Sequence, residues 1–244
     1  MTLRSLGNPS VRYDSFMSKT GEGAAASPTP PPALEERSVE FSGTDQGLVI
    51  ADNDAWSLGQ TFTIEAFIRV SGSLNNYQTI VSQSDGGDNW YMSVISNGAL
   101  QFYDFSGGEQ RESATGAISS NTWYHVAFVG NSGTGQWYVN GTSSGSSGSI
   151  DVAGGSSGLK IARQGTYNYD WSGYISNLRI TNNQALYTSN FTKPSSPLTL
   201  TSQGATASNV SLLCCNTSTV TGSTKTPSTI TTEGSPSASS TNPF

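Results

Sequence analysis

The sequence is poor in charged residues. Asp, Glu, Lys and Arg make up 11% of its 244 residues, against roughly 25% in an average soluble domain. Gly, Ser, Thr and Asn take their place, and such residues disfavour helix surfaces but suit turns and the outer faces of strands. There is no run of Lys or Arg and the formal net charge is −6, which argues against a surface that follows nucleic-acid phosphates. The composition predicts an all-β protein that does not bind nucleic acid.

Histidine, cysteine and long apolar runs are also scarce. His125 is the single histidine, which excludes a histidine-rich metal site. The two cysteines, Cys214 and Cys215, are adjacent. Neighbours in a strand point to opposite faces, so we expect reduced thiols and no disulfide framework. No apolar run approaches the ~20 residues that span a bilayer, and the first residues lack the apolar core of a signal peptide. We expect no membrane insertion.

Short strand patterns fill the middle of the chain. Residues 62–70 alternate apolar and polar side chains, which is typical of a strand with one buried face. Residues 123–129 are apolar on both faces and predict an interior strand. Strands about ten residues apart, separated by turn residues, are typical of a sandwich or barrel. The sequence therefore predicts a two-sheet antiparallel jelly-roll sandwich over residues 37–215.

Two turns and one irregularity are predicted within this sandwich. Asn97-Gly98 and Asn140-Gly141 suit type I′ hairpins, which require positive φ at both positions. Ile175 and Leu178 are three residues apart, so a β-bulge between them is needed to turn both toward the core. Residues 185–191 are predicted to form one short helical turn.

The two ends of the chain have a different composition. Residues 1–36 contain Pro28 and residues 30–32, all proline, which favours an extended arm and linker; a disordered tail is the alternative. The arm's candidate partner-binding residues are Arg4, Arg12, Tyr13, Phe16 and Lys19. Residues 216–244 are rich in Ser and Thr, a composition typical of a disordered stalk. Within them, however, residues 229–231 suggest a strand and residues 242–244 suggest an anchor.

Several segments carry a family resemblance. Residues 38–45 (SVEFSGTD) and 62–69 (FTIEAFIR) resemble the opening of concanavalin A-like, laminin G-type sandwich domains. Residues 121–127 (NTWYHVA) and 135–141 (GQWYVNG) are similar to the paired central strands of that family. Residues 173–191 look most like the version found in virion proteins of marine tailed phages. The resemblance covers roughly residues 38–213 and implies the same fold, although one sandwich fold serves many functions.

The resemblance implies a structural role on a virion. We expect a capsid decoration or head-fibre subunit that is exposed on the particle surface. Its arm would bind the major capsid protein or fibre subunits, and we expect a homo-oligomer. In tandem members of the family, a segment like 211–231 precedes the strand that matches residues 38–41. The tail is therefore expected to add a strand to this domain or to a neighbouring copy.

Catalytic patterns are missing. The related sandwich glycosidases use an E-x-D-x-E strand, and retaining enzymes hold two carboxylates about 5–5.5 Å apart. The nearest approach is Glu109 and Glu112, whose spacing places them on opposite faces of a strand. His125 lies in an apolar strand, which indicates a packed structural histidine, and there is no nucleophile elbow and no P-loop. We predict that the protein is not an enzyme.

Two loops are candidates for ligand binding. Residues 164–171 (QGTYNYDW) combine Tyr167, Tyr169 and Trp171 with Asp170, and aromatic rings beside polar groups suit a host-surface glycan. This loop supports the alternative function, a carbohydrate-binding adhesin module on a tail fibre; a hydrophobic lid is the competing interpretation. Residues 84–89 (SDGGDN) place Asp85 and Asp88 on one loop, where oxygen ligands suit Ca²⁺, although turn-forming Asp and Gly explain them equally. No other cofactor is predicted.

Overall fold

The computed structural model describes residues 36–74, 77–85, 89–152, 154–165, 167 and 169–244. The predicted arm residues therefore lie outside the described residues; they are Arg4, Arg12, Tyr13, Phe16 and Lys19. Asp88 of the candidate calcium loop also lies outside them. Among the described residues, no helix has the length and apolar character needed to cross a bilayer.

Sixteen strands and two short 3₁₀ turns form within this part of the chain. The strands are β1 (Ser38–Ser42), β2 (Gly47–Ile50), β3 (Phe62–Val70), β4 (Gln78–Asp85), β5 (Trp90–Val94), β6 (Leu100–Asp104), β7 (Glu109–Glu112), β8 (Tyr124–Asn131), β9 (Thr134–Val139), β10 (Thr142–Ser149), β11 (Gly158–Ile161), β12 (Ser172–Asn182), β13 (Val210–Cys214), β14 (Ser223–Lys225), β15 (Ile230–Glu233) and β16 (Ser237–Ser239). The 3₁₀ turns are Asp54–Trp56 and Ser202–Gly204.

The strands form two antiparallel sheets. A nine-stranded sheet has the order β10-β9-β8-β3-β12-β1-β16, with β13 also paired to β12 and β14 paired to β13. A seven-stranded sheet has the order β15-β2-β11-β4-β5-β6-β7. The predicted all-β sandwich is confirmed.

One apolar core lies between the two sheets. Phe62 and Ile64 of β3 face it from the nine-stranded sheet, and Trp90 of β5 faces it from the other sheet; all three are fully buried. Phe102 of β6 and Phe128 of β8 stack across the interface with ring centroids 4.2 Å apart. The remaining alternate positions point away from the core, so each sheet also has an outer face.

The predicted bulge in β12 is confirmed. Ser176 pairs with Phe67 and Arg179 pairs with Glu65, so β12 contains one residue more than β3 over this stretch. Asn177 absorbs the extra residue with φ at 51°, a left-handed conformation that asparagine tolerates better than most residues. Ile175 and Leu178 consequently both reach the core and are fully buried.

The two Asn-Gly turns differ. Asn140 and Gly141 have φ at 49° and 83°, as predicted for a type I′ turn between β9 and β10. At the other site only Gly98 has positive φ, at 74°. The prediction is wrong there because β5 and β6 are joined by a longer loop, in which Asn97 Oδ1 accepts a hydrogen bond from Ala99 N at 2.9 Å.

The segment after residue 216 pairs with its own chain. β14 pairs with β13, β15 with β2, and β16 with β1. Ile230 of β15 is buried in the main core. The last residue, Phe244, packs edge-on against Phe67 on the outer face of the nine-stranded sheet, with centroids 4.9 Å apart. The tail thus contributes strands to both sheets. Both cysteines, one at the end of β13 and one just after it, are buried free thiols.

Residues 183–209, here the covering segment, pack over the outer face of the nine-stranded sheet. The helical turn predicted at residues 185–191 is wrong, because the backbone is tied to the strands instead. Leu186 N donates to Thr63 Oγ1 at 3.0 Å, and Phe191 N donates to Gly141 O at 2.8 Å.

Candidate functional site

A cluster of aromatic rings lies on the outer face of the seven-stranded sheet. Tyr91 follows the inward-facing Trp90 in β5 and therefore points outward. It lies opposite Tyr103 of β6 in the strand register, and the two rings stack with centroids 5.5 Å apart. Phe105, just beyond β6, contacts both rings edge-on, at 5.8 Å from Tyr91 and 4.8 Å from Tyr103.

The loop before β12 adds two of the predicted rings to this cluster. Tyr169 stacks on Tyr77 at 4.8 Å and meets Tyr91 edge-on at 6.4 Å. Tyr167 stacks on Tyr169 at 5.4 Å. The loop is fixed by backbone hydrogen bonds, since Thr79 N donates to Tyr169 O at 3.0 Å. We call these six rings the tyrosine platform: Tyr77, Tyr91, Tyr103, Phe105, Tyr167 and Tyr169.

The platform is exposed at one end and buried at the other. Tyr167 is 52% exposed, whereas Tyr91 is 7% exposed. Burial raises the pKa of Tyr91 well above its usual value, and the neighbouring phenols of Tyr77 and Tyr169 raise it further. The phenols therefore lie close enough to one another to interact, and each hydroxyl can donate and accept a hydrogen bond.

Polar side chains continue the platform toward β7. Tyr91 Oη donates to Gln101 Oε1 at 2.8 Å, and Gln101 Nε2 donates to Glu112 Oε1 at 3.0 Å. Gln110 Nε2 donates to the same carboxylate oxygen. This chain of hydrogen bonds fixes the orientation of both amides. We call Gln101, Gln110 and Glu112 the polar rim.

The rim adjoins a groove between the edge strands β7 and β10. The groove has a volume of about 730 Å³ and is lined by hydroxyl, glycine and polar side chains, among them Gln110, Arg111, Glu112, Ser146 and Ser149. The platform offers a ligand flat aromatic rings, and the rim and the groove beside it offer hydrogen-bonding groups.

Asp170 and Trp171 differ from the two tyrosines of their loop. The carboxylate of Asp170 lies 3.1 Å from Arg163 Nε and accepts a hydrogen bond from Asp45 N at 2.9 Å, so it is already engaged. Trp171 is fully buried in the core. The prediction that Trp171 stacks on a glycan is wrong, because its backbone already pairs with Ala162 O at 2.8 Å and its ring faces inward.

The four platform rings outside the loop were not predicted. Tyr77 directly precedes β4, Tyr91 lies in β5, and Tyr103 and Phe105 lie in and just after β6. They meet only through the pairing of these three strands. A signal for two of them is present, because Tyr91 and Tyr103 stand at the outward positions of alternating strands.

The candidate calcium loop stays a prediction. β4 ends at Asp85, and Asp88 lies outside the described residues. Within the described ranges, no group of three or more His, Cys, Asp or Glu side chains is arranged to hold a metal ion.

A second polar cluster lies beneath the covering segment. Glu65 Oε2 accepts hydrogen bonds from His125 Nε2 at 2.9 Å and from Tyr187 Oη at 2.7 Å. Glu65 Oε1 accepts one from Arg179 Nε at 2.8 Å. Burial opposes ionisation of Glu65, but the His125 hydrogen bond and the Arg179 charge outweigh it and lower its pKa to about 2.

This cluster is structural. Glu65, His125 and Arg179 are each 0% exposed. Arg179 also donates to Thr199 O and Ser202 O of the covering segment, at 2.6 and 3.0 Å. The prediction of a packed structural His125 is confirmed, and its ring is enclosed edge-on by aromatic neighbours.

The architecture defines the class of the protein, a two-sheet antiparallel sandwich with an aromatic outer face. A laminin G-type family model, described as the concanavalin A-like lectin/glucanases superfamily, matches residues 42–188. This is more than half of the chain, which therefore belongs to that superfamily. A comparison with curated proteins finds no match.

Several solved structures are similar to the chain. A candidate carbohydrate binding protein from Bacteroides ovatus is 18% identical over 85% of this chain, with a TM-score of 0.64. A heptameric SAP-like pentraxin from Limulus polyphemus is 22% identical, over 63% of this chain and 79% of its own, with a TM-score of 0.45. Domain 4 of an extracellular arabinanase from Geobacillus stearothermophilus, in complex with arabinotriose, is 19% identical, over 59% and 69%, with a TM-score of 0.46.

These identities are low, and the Bacteroides ovatus structure supports the fold alone. The chain spans 60% of the length of that protein.

Proposed function

We propose that the chain is a non-enzymatic carbohydrate-binding module and that the tyrosine platform is its binding face. The observation that carries the proposal is the half-exposed ring of Tyr167 at the end of a stacked column with Tyr169 and Tyr77. An aromatic face packs against the C–H face of a sugar, while its neighbours hydrogen-bond the hydroxyl groups.

Contacts within the protein position the stacking column before any ligand arrives. Tyr169 has a ring on each side, and its carbonyl is held by Thr79 N. Ordering side chains at an interface costs roughly 0.5–1.5 kcal/mol for each rotamer-rich group, and much of that cost is avoided here. The polar rim adds amide donors and a carboxylate acceptor that are likewise already oriented.

The glycan test uses the full chain. It is screened against a broad set of immobilised glycans and compared with a Tyr77→Ala/Tyr167→Ala double variant, which removes both ends of the column. Tyr174→Ala is the matched control, because Tyr174 lies on the outer face of the other sheet and donates to Glu40 at 2.8 Å. Binding by the wild type and the control, but not by the double variant, is expected. If the wild type bound none of the glycans, the proposal would be contradicted.

The location of this activity is a second proposal. The resemblance of residues 173–191 to virion proteins of tailed phages supports a subunit on the particle surface, either a capsid decoration or head-fibre protein or an adhesin on a tail fibre. Residues 1–36 would attach it to capsid or fibre proteins, as segments that order on binding do. Full-length protein is expected to bind such particles and residues 38–244 to fail; equal binding by both would contradict the anchoring role.

A further inference from the structure

Two cationic side chains lie beside the tyrosine platform, and carboxylates engage both of them. Lys160 Nζ is 2.7 Å from Glu233 Oε1, and Arg163 Nη1 is 3.3 Å from Glu233 Oε2. Arg163 also reaches Asp170 through Nε and Asp45 through Nη2, each at 3.1 Å. Lys160 therefore has a carboxylate partner, and Arg163 has three.

Segments that are far apart in the sequence form this cluster of charges. β15 brings Glu233 opposite Gly47 of β2, and β2 pairs in turn with β11, which carries Lys160. A side chain on Gly47 would lie only 3.0 Å from Arg163 Cγ. The glycine therefore leaves room for the arginine stem to cross β2 toward Glu233.

Among the described side chains around the platform, carboxylates outnumber cations. Glu112 of the polar rim adds a fourth carboxylate on the side of the platform toward β7. Arg111 alternates with Gln110 and Glu112 and faces the groove rather than the rings, with its guanidinium beside Gly148 of β10. At physiological ionic strength, charges within about 8 Å of a ligand act on it. A ligand at the platform is therefore near more carboxylates than the two engaged cations neutralise.

The uncharged groups of this face suit hydroxyls. Gln110 is exposed beside the carboxylate of Glu112, and the buried amide of Gln101 holds that carboxylate from below. An exposed amide, the phenol hydroxyls of the platform and a carboxylate acceptor match the paired donors and acceptors of a neutral sugar.

We infer that the platform selects neutral glycans and rejects those that carry carboxylate or sulfate groups; this inference rests on the proposed function. An anionic sugar that binds the platform loses part of its hydration shell. It gains no free cation in return, because carboxylates already neutralise Lys160 and Arg163. It also sits near like charges, which is an effective way to exclude a wrong partner.

The test pairs glycans that differ only in charge. Full-length protein is titrated with neutral oligosaccharides and with partners in which the C6 hydroxymethyl is a carboxylate or a hydroxyl is sulfated. We expect the neutral member to bind at least about tenfold more tightly, and its affinity to change little with salt because no ion pair forms.

Two variants test the cause. Asp45→Asn, at a side chain that is 77% exposed, and Glu233→Gln, at one that is 31% exposed, each remove a carboxylate from the cations without touching the rings. Each should narrow the gap between neutral and acidic partners, whereas Glu40→Gln on the opposite sheet should leave it unchanged.

The outcomes separate the two proposals. An acidic partner that binds as tightly as its neutral twin overturns this inference and leaves glycan binding intact. A neutral preference that Asp45→Asn and Glu233→Gln leave untouched also overturns it, because charge would not be the cause. Failure to bind any glycan removes the proposed function itself.

Discussion

Tyr167 stacks on Tyr169 with ring centroids 5.4 Å apart and planes 18° from parallel. Tyr169 has Tyr77 on its other side, so both of its faces are already used. Tyr167 is the end of this column, and its outer face is the surface that a sugar can cover. In the proposed site, the two tyrosines of this loop therefore have different roles, Tyr167 as the stacking ring and Tyr169 as its support.

Replacing Tyr167 by Ala should weaken glycan binding about tenfold, roughly 1.4 kcal/mol, because it removes the ring face. Replacing it by Phe keeps that face, and binding should stay within about twofold. Calorimetric titration of both variants against one glycan checks this. Equal losses in both would mean that the hydroxyl, not the ring face, makes the contact.

Glu65 neutralises Arg179 inside the protein, and both are 0% exposed. Glu65→Ala leaves the buried guanidinium without its charge partner, which should lower the free energy of unfolding by about 3–5 kcal/mol. Urea denaturation measures the change. Glu40→Ala, at an exposed carboxylate on the same sheet, is the control and should change stability by less than about 0.5 kcal/mol. A loss at Glu65 no larger than at Glu40 would contradict the proposed role.

The lowered pKa of Glu65 predicts a specific acid sensitivity. Its stabilising contribution is fully present above the ordinary glutamate value of 4.5 and is lost as pH falls toward the native value of about 2. The loss over that range should be roughly 3 kcal/mol. Denaturation at several pH values between 6 and 2 measures it. Glu65→Gln cannot titrate and should show a shallower decline; parallel curves for the two proteins would refute the assignment.

The C-terminal segment should be needed for stability. Deleting residues 217–244 removes β14, β15 and β16, uncovers the edges of β1, β2 and β13, and takes Ile230 out of the core. We expect a loss of several kcal/mol in unfolding free energy, measurable by thermal denaturation. Phe244→Ala removes one ring from the apolar cluster around Phe67 and should cost less, about 1–2 kcal/mol. Unchanged stability of the deletion would show that the tail does not complete the sandwich.

The regular parts of the fold could be predicted from local patterns. The alternation in residues 62–70 predicts a strand with one face toward the core, and the three-residue spacing of Ile175 and Leu178 predicts a bulge. The expectation that the other face of residues 62–70 is open to solvent is wrong, because the covering segment packs over it and both faces of β3 are buried. In the tail, the strand suggested at residues 229–231 forms as β15, but the other two strands could not be predicted in the same way. β14 and β16 are short segments of mostly Ser and Thr with little apolar alternation, and the edges they pair with are far away in the chain.

The candidate site was only partly accessible to sequence reasoning. Tyr167 and Tyr169 stand out because they are close together in a polar loop. Tyr77 and Tyr91 join them only because β4 and β5 are neighbours in the sheet. Trp171 was assigned to the same surface because it adjoins them in the chain, but it directly precedes β12, and its side chain is buried in the core.

The location of bound glycan on the protein tests the central claim most directly. With ring-labelled tyrosines, NMR titration reports every tyrosine at once, so the outer face of the other sheet supplies internal controls. We predict that the signals of Tyr167 and Tyr77 shift first and most, while those of Tyr174, Tyr138 and Tyr187 do not move. Shifts confined to the latter three, with the platform signals unchanged, would contradict the assignment of the binding face.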